Sequence, residues 1–358
     1  MEITSDHSTR KERAKQQLKE LITEGKISVN GYLPSVRNAS RLLELNRDAI
    51  WKAYRALEDE RLIKRAENGR YRLDGDASKT RLQKLAILVV AVGEGSIRFS
   101  GIQRFYNYLA ERESAFGISL HSKCVLNARD IRPEWMEGMD CAVICGSFEN
   151  PEVLNAATAD ILSLGIINSH DWNPDICIDS DDQHLGRISA QHLFEKGIRN
   201  PCVIAYGSRE RRHTLRKLGF QACWLQNGGS TDEIGEYWID QSCLYTRVNE
   251  LHDISHRLLD EHDAVYCLEK RSAIDLMNLL KRIEVKIPSR LRVISTDGTF
   301  DGLKTEPKLT IVKQQFEEMA SKAIGKIRLA LSNPDFSGLR TQQSRVLLPG
   351  QLIEREST

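Results

Sequence analysis

The chain has 358 residues, enough for two or three domains, and its 41% hydrophobic and 28% charged residues are ordinary for a soluble globular protein. No stretch reaches the ~18 apolar residues of a membrane helix, and the N-terminus is polar without an apolar signal segment, so a cytoplasmic protein with no membrane partner is expected. The net charge of +1 hides an asymmetry: residues 1–74 hold 16 Lys and Arg against 12 Asp and Glu, whereas the remainder holds 35 against 38.

The first element is a helix over roughly residues 10 to 25, with Leu18, Leu21 and Ile22 as its apolar stripe. Pro34 fixes φ at a helix entrance and Ser35 is a capping residue, which together predict a short helix over Val36 to Leu43 with Ala39, Leu42 and Leu43 facing inward. After a turn, Asn46 is a good N-cap, and Ile50, Ala53, Tyr54, Leu57 and Leu62 recur at helical spacing. That helix turns Arg47, Asp48, Trp51, Lys52 and Arg55 outward and suits a DNA major groove. Leu62 to Lys64 and Tyr71 to Leu73 read as two short strands joined at Glu67, Asn68 and Gly69, the composition of a hairpin wing. The basic surplus lies in this segment, so phosphate neutralisation would come from here and binding would be salt-sensitive.

Residues 75–84 are polar, small and charged, as in a short linker. From Leu85 onward, buried-type apolar runs at 85–92, 141–146, 165–169, 202–207, 264–268 and 291–297 alternate with helix-length segments at 100–114, 151–163, 185–196, 213–226 and 271–284. Alternation of this kind predicts parallel sheets with helices on both faces. A body of this length exceeds one comfortable core, so two lobes are expected, with a ligand cleft beyond the carboxyl ends of the strands.

Chemistry of other kinds finds little support. The eight cysteines, at 124, 141, 145, 177, 202, 223, 243 and 267, show no metal-ligand doublets and read as reduced and mostly buried. Gly93 to Gly95 lacks both the Lys-Ser/Thr of a phosphate loop and the spacing of a dinucleotide fingerprint. Nine histidines are scattered, and neither G-x-S-x-G nor H-E-x-x-H occurs, so no enzyme, cofactor or metal is expected.

Leu33, Pro34, Ser35 and Arg37, then Asn46, Arg47 and Ile50, then Ala53, Leu57, Leu62 and Ile63 resemble the signature of the GntR-type winged helix-turn-helix. The chain departs from it at Ala49, where the family has a frequent Thr, and at Asn68 to Tyr71, where the wing tip is reduced. The resemblance implies a DNA-binding head at 1–74, with contacts from Ser35, Arg37, Asn46, Arg47, Asp48, Trp51, Lys52, Asn68, Gly69 and Arg70. Arg37 and Arg47 would meet bases or phosphates, and Lys52 and Arg70 phosphates.

The body resembles the LacI family, which shares its fold with periplasmic sugar-binding proteins. The likeness rests on Asp181, Gly186, Ala190, His192, Leu193, Gly197 and Arg199, on Arg216, Gly219 and Phe220, on Ile287, Pro288, Val293, Ile294, Asp297, Leu309, Thr310 and Val312, and on the closing run from Leu348 to Thr358. It implies a two-lobed periplasmic-binding-protein-like α/β domain over 85–358, behind a small α+β winged-helix domain. Lobes are expected at roughly 85–183 plus 310–343 and 184–309 plus 344–358. Arg216 and Asp297 fall where the family binds effector hydroxyls, a fitting use of a forked donor and a twofold acceptor. Alternatively Arg216 is a surface cation in the basic run from Arg209 to Lys217, and Asp297 a loop or helix cap before Gly298.

Glu269 and Lys270 replace the family's frequent Asn-Asp, and the loop from Gly93 to Phe99, with Ser96 as a candidate contact, replaces its usual first loop. Trp172 either stacks on a sugar face or plugs the lobe interface. Joining these two parts resembles the architecture of arabinose repressors. The expectation is a homodimeric repressor of carbohydrate-utilisation genes that binds double-stranded operator DNA and is switched by a small sugar between its lobes. The alternative is a solute-binding protein without gene regulation.

Overall fold

The computed structural model describes residues 14–15, 17–19, 33–59, 63–66, 69–73, 85–92, 100–146, 151–166, 172–207, 211–240, 243–297, 305–331 and 344–358. In the head, α1 (Val36–Leu42) starts at Ser35, whose Oγ accepts from the Asn38 N–H at 3.2 Å. α2 (Arg47–Asp59) starts at Asn46, whose Oδ1 accepts from the Ala49 N–H at 2.7 Å. Ile50, Ala53, Tyr54 and Leu57 form the buried stripe of α2, and Ala14, Leu18, Leu33 and Ile63 pack onto it.

Strands β1 (Ile63–Arg65) and β2 (Tyr71–Leu73) pair antiparallel, with Gly69 at φ +75° in the turn. The Tyr54 hydroxyl donates to the Pro34 carbonyl at 2.9 Å, and its ring lies 5.1 Å from that of Tyr71, so one side chain ties the entrance of α1 to the wing. Leu42 corrects one expectation: it is 58% exposed. In this short helix the inward line runs through Ala39 and Leu43, and Leu42 is turned away from it by the helical repeat.

The first lobe comprises β3 (Leu85–Val92), α3 (Ser100–Ala110), α4 (Glu113–Phe116), β4 (Ile118–Val125), β5 (Cys141–Gly146), α5 (Pro151–Ala157), β6 (Leu162–Ile166) and β7 (Ile176–Ser180). Next come α6 (Asp182–Glu195), β8 (Pro201–Tyr206), α7 (Arg211–Gln226), β9 (Gly235–Ile239), α8 (Leu244–Glu261), β10 (Ala264–Cys267), α9 (Lys270–Arg282), β11 (Arg292–Asp297) and β12 (Thr310–Lys313). The chain ends with α10 (Phe316–Leu331), β13 (Ser344–Leu348) and β14 (Gln351–Ile353).

Two six-stranded sheets result, ordered β13-β7-β6-β5-β3-β4 and β14-β12-β11-β10-β8-β9. All their pairings are parallel except that of β12 with β14. Alternate residues of β3 and β5 feed separate cores: Ile87, Val89, Cys141 and Val143 face one side of their sheet, and Leu88, Val90, Ala142 and Ile144 the other. Cys141, Cys145, Cys202 and Cys267 serve as small apolar core residues, and burial pushes their thiols up. Among the described residues no helix is long and apolar enough to cross a membrane.

Two boundaries differ from those read in the sequence. The run expected at 165–169 forms its strand at Leu162–Ile166. The lobes also divide elsewhere: β12, at 310–313, pairs with β11 in the second sheet, and β13, at 344–348, pairs with β7 in the first. Thr310–Lys313 and Ser344–Leu348 therefore each belong to the lobe opposite to the one expected. The chain changes lobe at Asp181, at Gln314 to Gln315 and at Pro349 to Gly350, where the strand partners change.

Candidate functional site: an outward helix face and a hinge cleft

On the head, Arg37, Arg47, Asp48, Trp51, Lys52, Arg55 and Arg70 are all exposed. The α2 face is ordered by two contacts: Lys52 Nζ lies 2.7 Å from Asp48 Oδ2, and the Arg55 guanidinium sits 4.9 Å from the Trp51 ring centroid. Ser35 and Asn46 act as helix caps, and Gly69 turns the wing beside Arg70. Asn68 lies outside the described residues.

In the body, a cleft of about 270 Å³ lies where the chain crosses between lobes. The first lobe lines it with Asp179, Ser180, Arg345 and Leu347; the second contributes Asp182 and Gln183 from α6 and Arg211, Arg212, Leu215 and Arg216 from α7. Gln314, at another crossing, completes the wall and donates from Nε2 to Ser180 Oγ at 3.0 Å. The Asp181 N–H donates to the Leu348 carbonyl at 2.8 Å, so the crossings are laced to one another.

Arg216 is the centre of this wall. It is 4% exposed; its Nε donates to Asp182 Oδ1 at 2.7 Å and its Nη1 to the Leu268 carbonyl at 2.6 Å. A buried guanidinium held in this way keeps its charge because Asp182 offsets the loss of water. The alternative of a surface cation is thus ruled out for Arg216 by its burial. Close packing of α6 on α7 makes the pair: a Cβ on Gly186 would lie 1.9 Å from the Arg216 carbonyl oxygen, and one on Gly219 2.0 Å from that of Gln183. Asp179, buried beside them, has its carboxyl pushed up to about 7 by burial and then by the charge of Asp182.

Other expected contacts are distributed differently. Asp297 is the last residue of β11, in register with Lys313. Glu269 is the N-cap of α9 and accepts from the Ser272 N–H at 3.1 Å, while Lys270 opens that helix. Trp172 is a correction. It is 2% exposed and packs in the first lobe's core with Val90, Ile144 and Leu154, and it is not one of the residues that line the cleft. Gly165 makes the slot for its ring, since a Cβ there would lie 3.2 Å from it. Ser96 lies outside the described residues. Sequence reasoning missed Asp179, Asp182, Gln314 and Arg345; the acidic run Asp179, Asp181, Asp182 ahead of a helix was the available signal. Among the described residues no group of three or more His, Cys, Asp or Glu side chains could hold a metal ion.

Glu269 gives a pH prediction. Burial pushes its carboxyl from 4.5 up to about 7, with His213 Nε2 3.8 Å from its Oε2. A raised pKa means that the folded state holds the proton more tightly than the unfolded chain. The stabilising contribution is complete below pH 4.5 and is lost as the pH rises through about 7. Glu269→Gln keeps an acceptor for Ser272 and never ionises. It is expected to raise stability at pH 8 by about 2 kcal/mol and to change little at pH 4, measured by denaturant unfolding at both values.

Residues 10–72 match the family described as bacterial regulatory proteins, gntR family, and residues 190–358 match the periplasmic binding protein-like domain. The chain is 28% identical over 204 residues to the sucrose operon repressor of Streptococcus mutans, covering 50% of this chain and 61% of that protein. It is 20% identical over 361 residues to the arabinose metabolism transcriptional repressor of Halalkalibacterium halodurans, covering 96% and 95%. The fold is similar to that of the transcriptional regulator CelR–cellobiose complex, with a TM-score of 0.63, 16% identity and coverage of 91% and 100%. It is similar also to the lac repressor dimer bound to operator and the anti-inducer ONPF, with a TM-score of 0.60, 17% identity and coverage of 80% and 98%. Neither matched family is an enzyme family, and the chain joins a gntR-family DNA-binding head to a periplasmic binding protein-like domain.

Proposed function

We propose that this chain is a cytoplasmic transcriptional repressor of carbohydrate-utilisation genes, binding operator DNA as a homodimer and switched by a small sugar in the hinge cleft. The observation that carries this reading is the cleft itself: its walls come from both lobes, at the points where the chain crosses between them, in a chain headed by a winged helix. A ligand touching Arg216 and Asp182 on one side and Asp179 and Arg345 on the other has different contacts when the lobes change angle, and that difference is what shifts an equilibrium. The relatives named for sucrose and arabinose metabolism, and the cellobiose complex, support a sugar as the ligand. The operator-bound lac repressor supports the dimer.

On this reading Arg216 offers its remaining donors to sugar hydroxyls, and Asp182 holds Arg216 in place. Arg37 and Arg47 meet bases or phosphates, and Lys52 and Arg70 meet phosphates. Affinity for duplex DNA is expected to fall roughly a hundred-fold or more between 50 and 200 mM salt, through release of counterions from neutralised phosphates. Fluorescence anisotropy against a pool of duplexes measures this. A solute-binding protein without gene regulation would have no such affinity to lose.

A further inference from the structure

We infer that Trp51 reads the C5-methyl group of a thymine in each operator half-site, making one thymine per half-site a specificity determinant. The inference rests on the DNA-binding reading above and goes beyond it to the chemistry of one contact.

The outward face of α2 presents Arg47, Asp48, Trp51, Lys52 and Arg55, and the indole is 46% exposed in the middle of four charged side chains. The charges around it are partly committed. Lys52 is paired with Asp48 at 2.7 Å, and the Arg55 guanidinium covers one face of the indole at 4.9 Å. The surface left at the centre of the helix face is therefore the apolar edge and second face of a large ring, held in place by a cation that is itself attracted to DNA. Arg47 lies one turn earlier on the same side, so the ring is placed beside a residue suited to bases or phosphates.

Four kinds of base-pair edge are offered in a major groove. Adenine, guanine and cytosine present donors and acceptors there, and thymine alone adds an apolar group, its methyl. An indole has one donor and no acceptor, so its carbon edge loses water to best effect against that methyl. Arg55 places its positive charge on the ring, and attraction of that charge to the phosphates flanking the same base pair would fix the register of the contact.

The test uses the full chain. Duplexes are first selected from a random pool by binding to the protein. Each thymine of the selected site is then replaced singly by uracil, which removes the methyl and nothing else, and affinity is measured for the parent, Trp51→Ala and Trp51→Arg. For the parent, one substitution per half-site is expected to weaken binding about four-fold, the size given by burying one methyl group. Trp51→Ala should bind the thymine and uracil duplexes alike. Trp51→Arg should shift the preferred base at that position toward guanine, a change that a merely structural role would not produce. The inference is overturned if no thymine shows a methyl dependence that vanishes in Trp51→Ala, including the case in which that variant weakens binding to all duplexes equally. Failure to select any duplex would instead remove the DNA-binding reading and this contact with it.

Discussion

Gly219→Ala is expected to destabilise the second lobe by about 4 kcal/mol or more, near the upper end for a single substitution. An added Cβ would lie 2.0 Å from the Gln183 carbonyl oxygen, a backbone atom in the first turn of α6 that no side-chain rotation can move aside. Gly186→Ala meets the mirror obstacle, the Arg216 carbonyl oxygen at 1.9 Å. Either substitution forces α6 and α7 apart, and those are the helices that carry Asp182 and Arg216. Gly228→Ala is the control: it has φ +93° but nothing within 4 Å, so only backbone strain of about 1 kcal/mol is expected. Urea unfolding of the three variants measures the difference, and equal losses would remove close helix packing as the reason for these glycines.

Arg216→Ala should combine a loss of stability with a loss of ligand response. Removing the guanidinium leaves Asp182, with a side chain only 10% exposed, without its cation, and the Leu268 carbonyl without its 2.6 Å donor. Breaking a buried pair from one side costs about 3–5 kcal/mol. The double variant Arg216→Met with Asp182→Leu removes both charges and should recover much of that stability, because apolar groups of similar size replace a desolvated pair. It should still fail to bind sugar. Unfolding curves together with calorimetric titration of sugars separate the two effects: a double variant that is stable and still binds would exclude Arg216 from the ligand site.

Much of the head could be read from its residues because its determinants are local. Ser35 and Asn46 are caps a few residues from the N–H groups they satisfy, and Ile50, Ala53, Tyr54 and Leu57 mark the buried stripe within one helix. The parallel sheets were legible for the same reason, in continuous runs such as Leu85–Val92 and Cys141–Gly146. Allocation of strands to lobes was not. β12 and β13 are short, and their lobe is set by pairing with β11 and β7, which are distant choices that no local pattern encodes. β4 also escaped notice because it is an edge strand whose middle residues are exposed.

Within the site, Arg216 was legible as part of a motif, but its tie to Asp182 depends on the contact of α6 with α7 that Gly186 and Gly219 permit. Trp172 shows the opposite difficulty. An aromatic ring serves a core or a ligand equally well, and the slot left by Gly165 decides for the core. Glu269 could have been read as a cap from Ser272 three residues on, but its place at the family's Asn-Asp position pointed to the cleft instead.

The most direct test of the switch is the affinity of the full chain for a selected duplex, measured by anisotropy at fixed salt with and without each of a panel of pentoses, hexoses and their phosphates. A repressor switched through its hinge cleft should show one sugar that changes DNA affinity by roughly 5- to 150-fold, the size of a coupling of ~1–3 kcal/mol, with Arg216→Ala abolishing the change. A sugar that binds the protein yet leaves DNA affinity untouched would contradict the account.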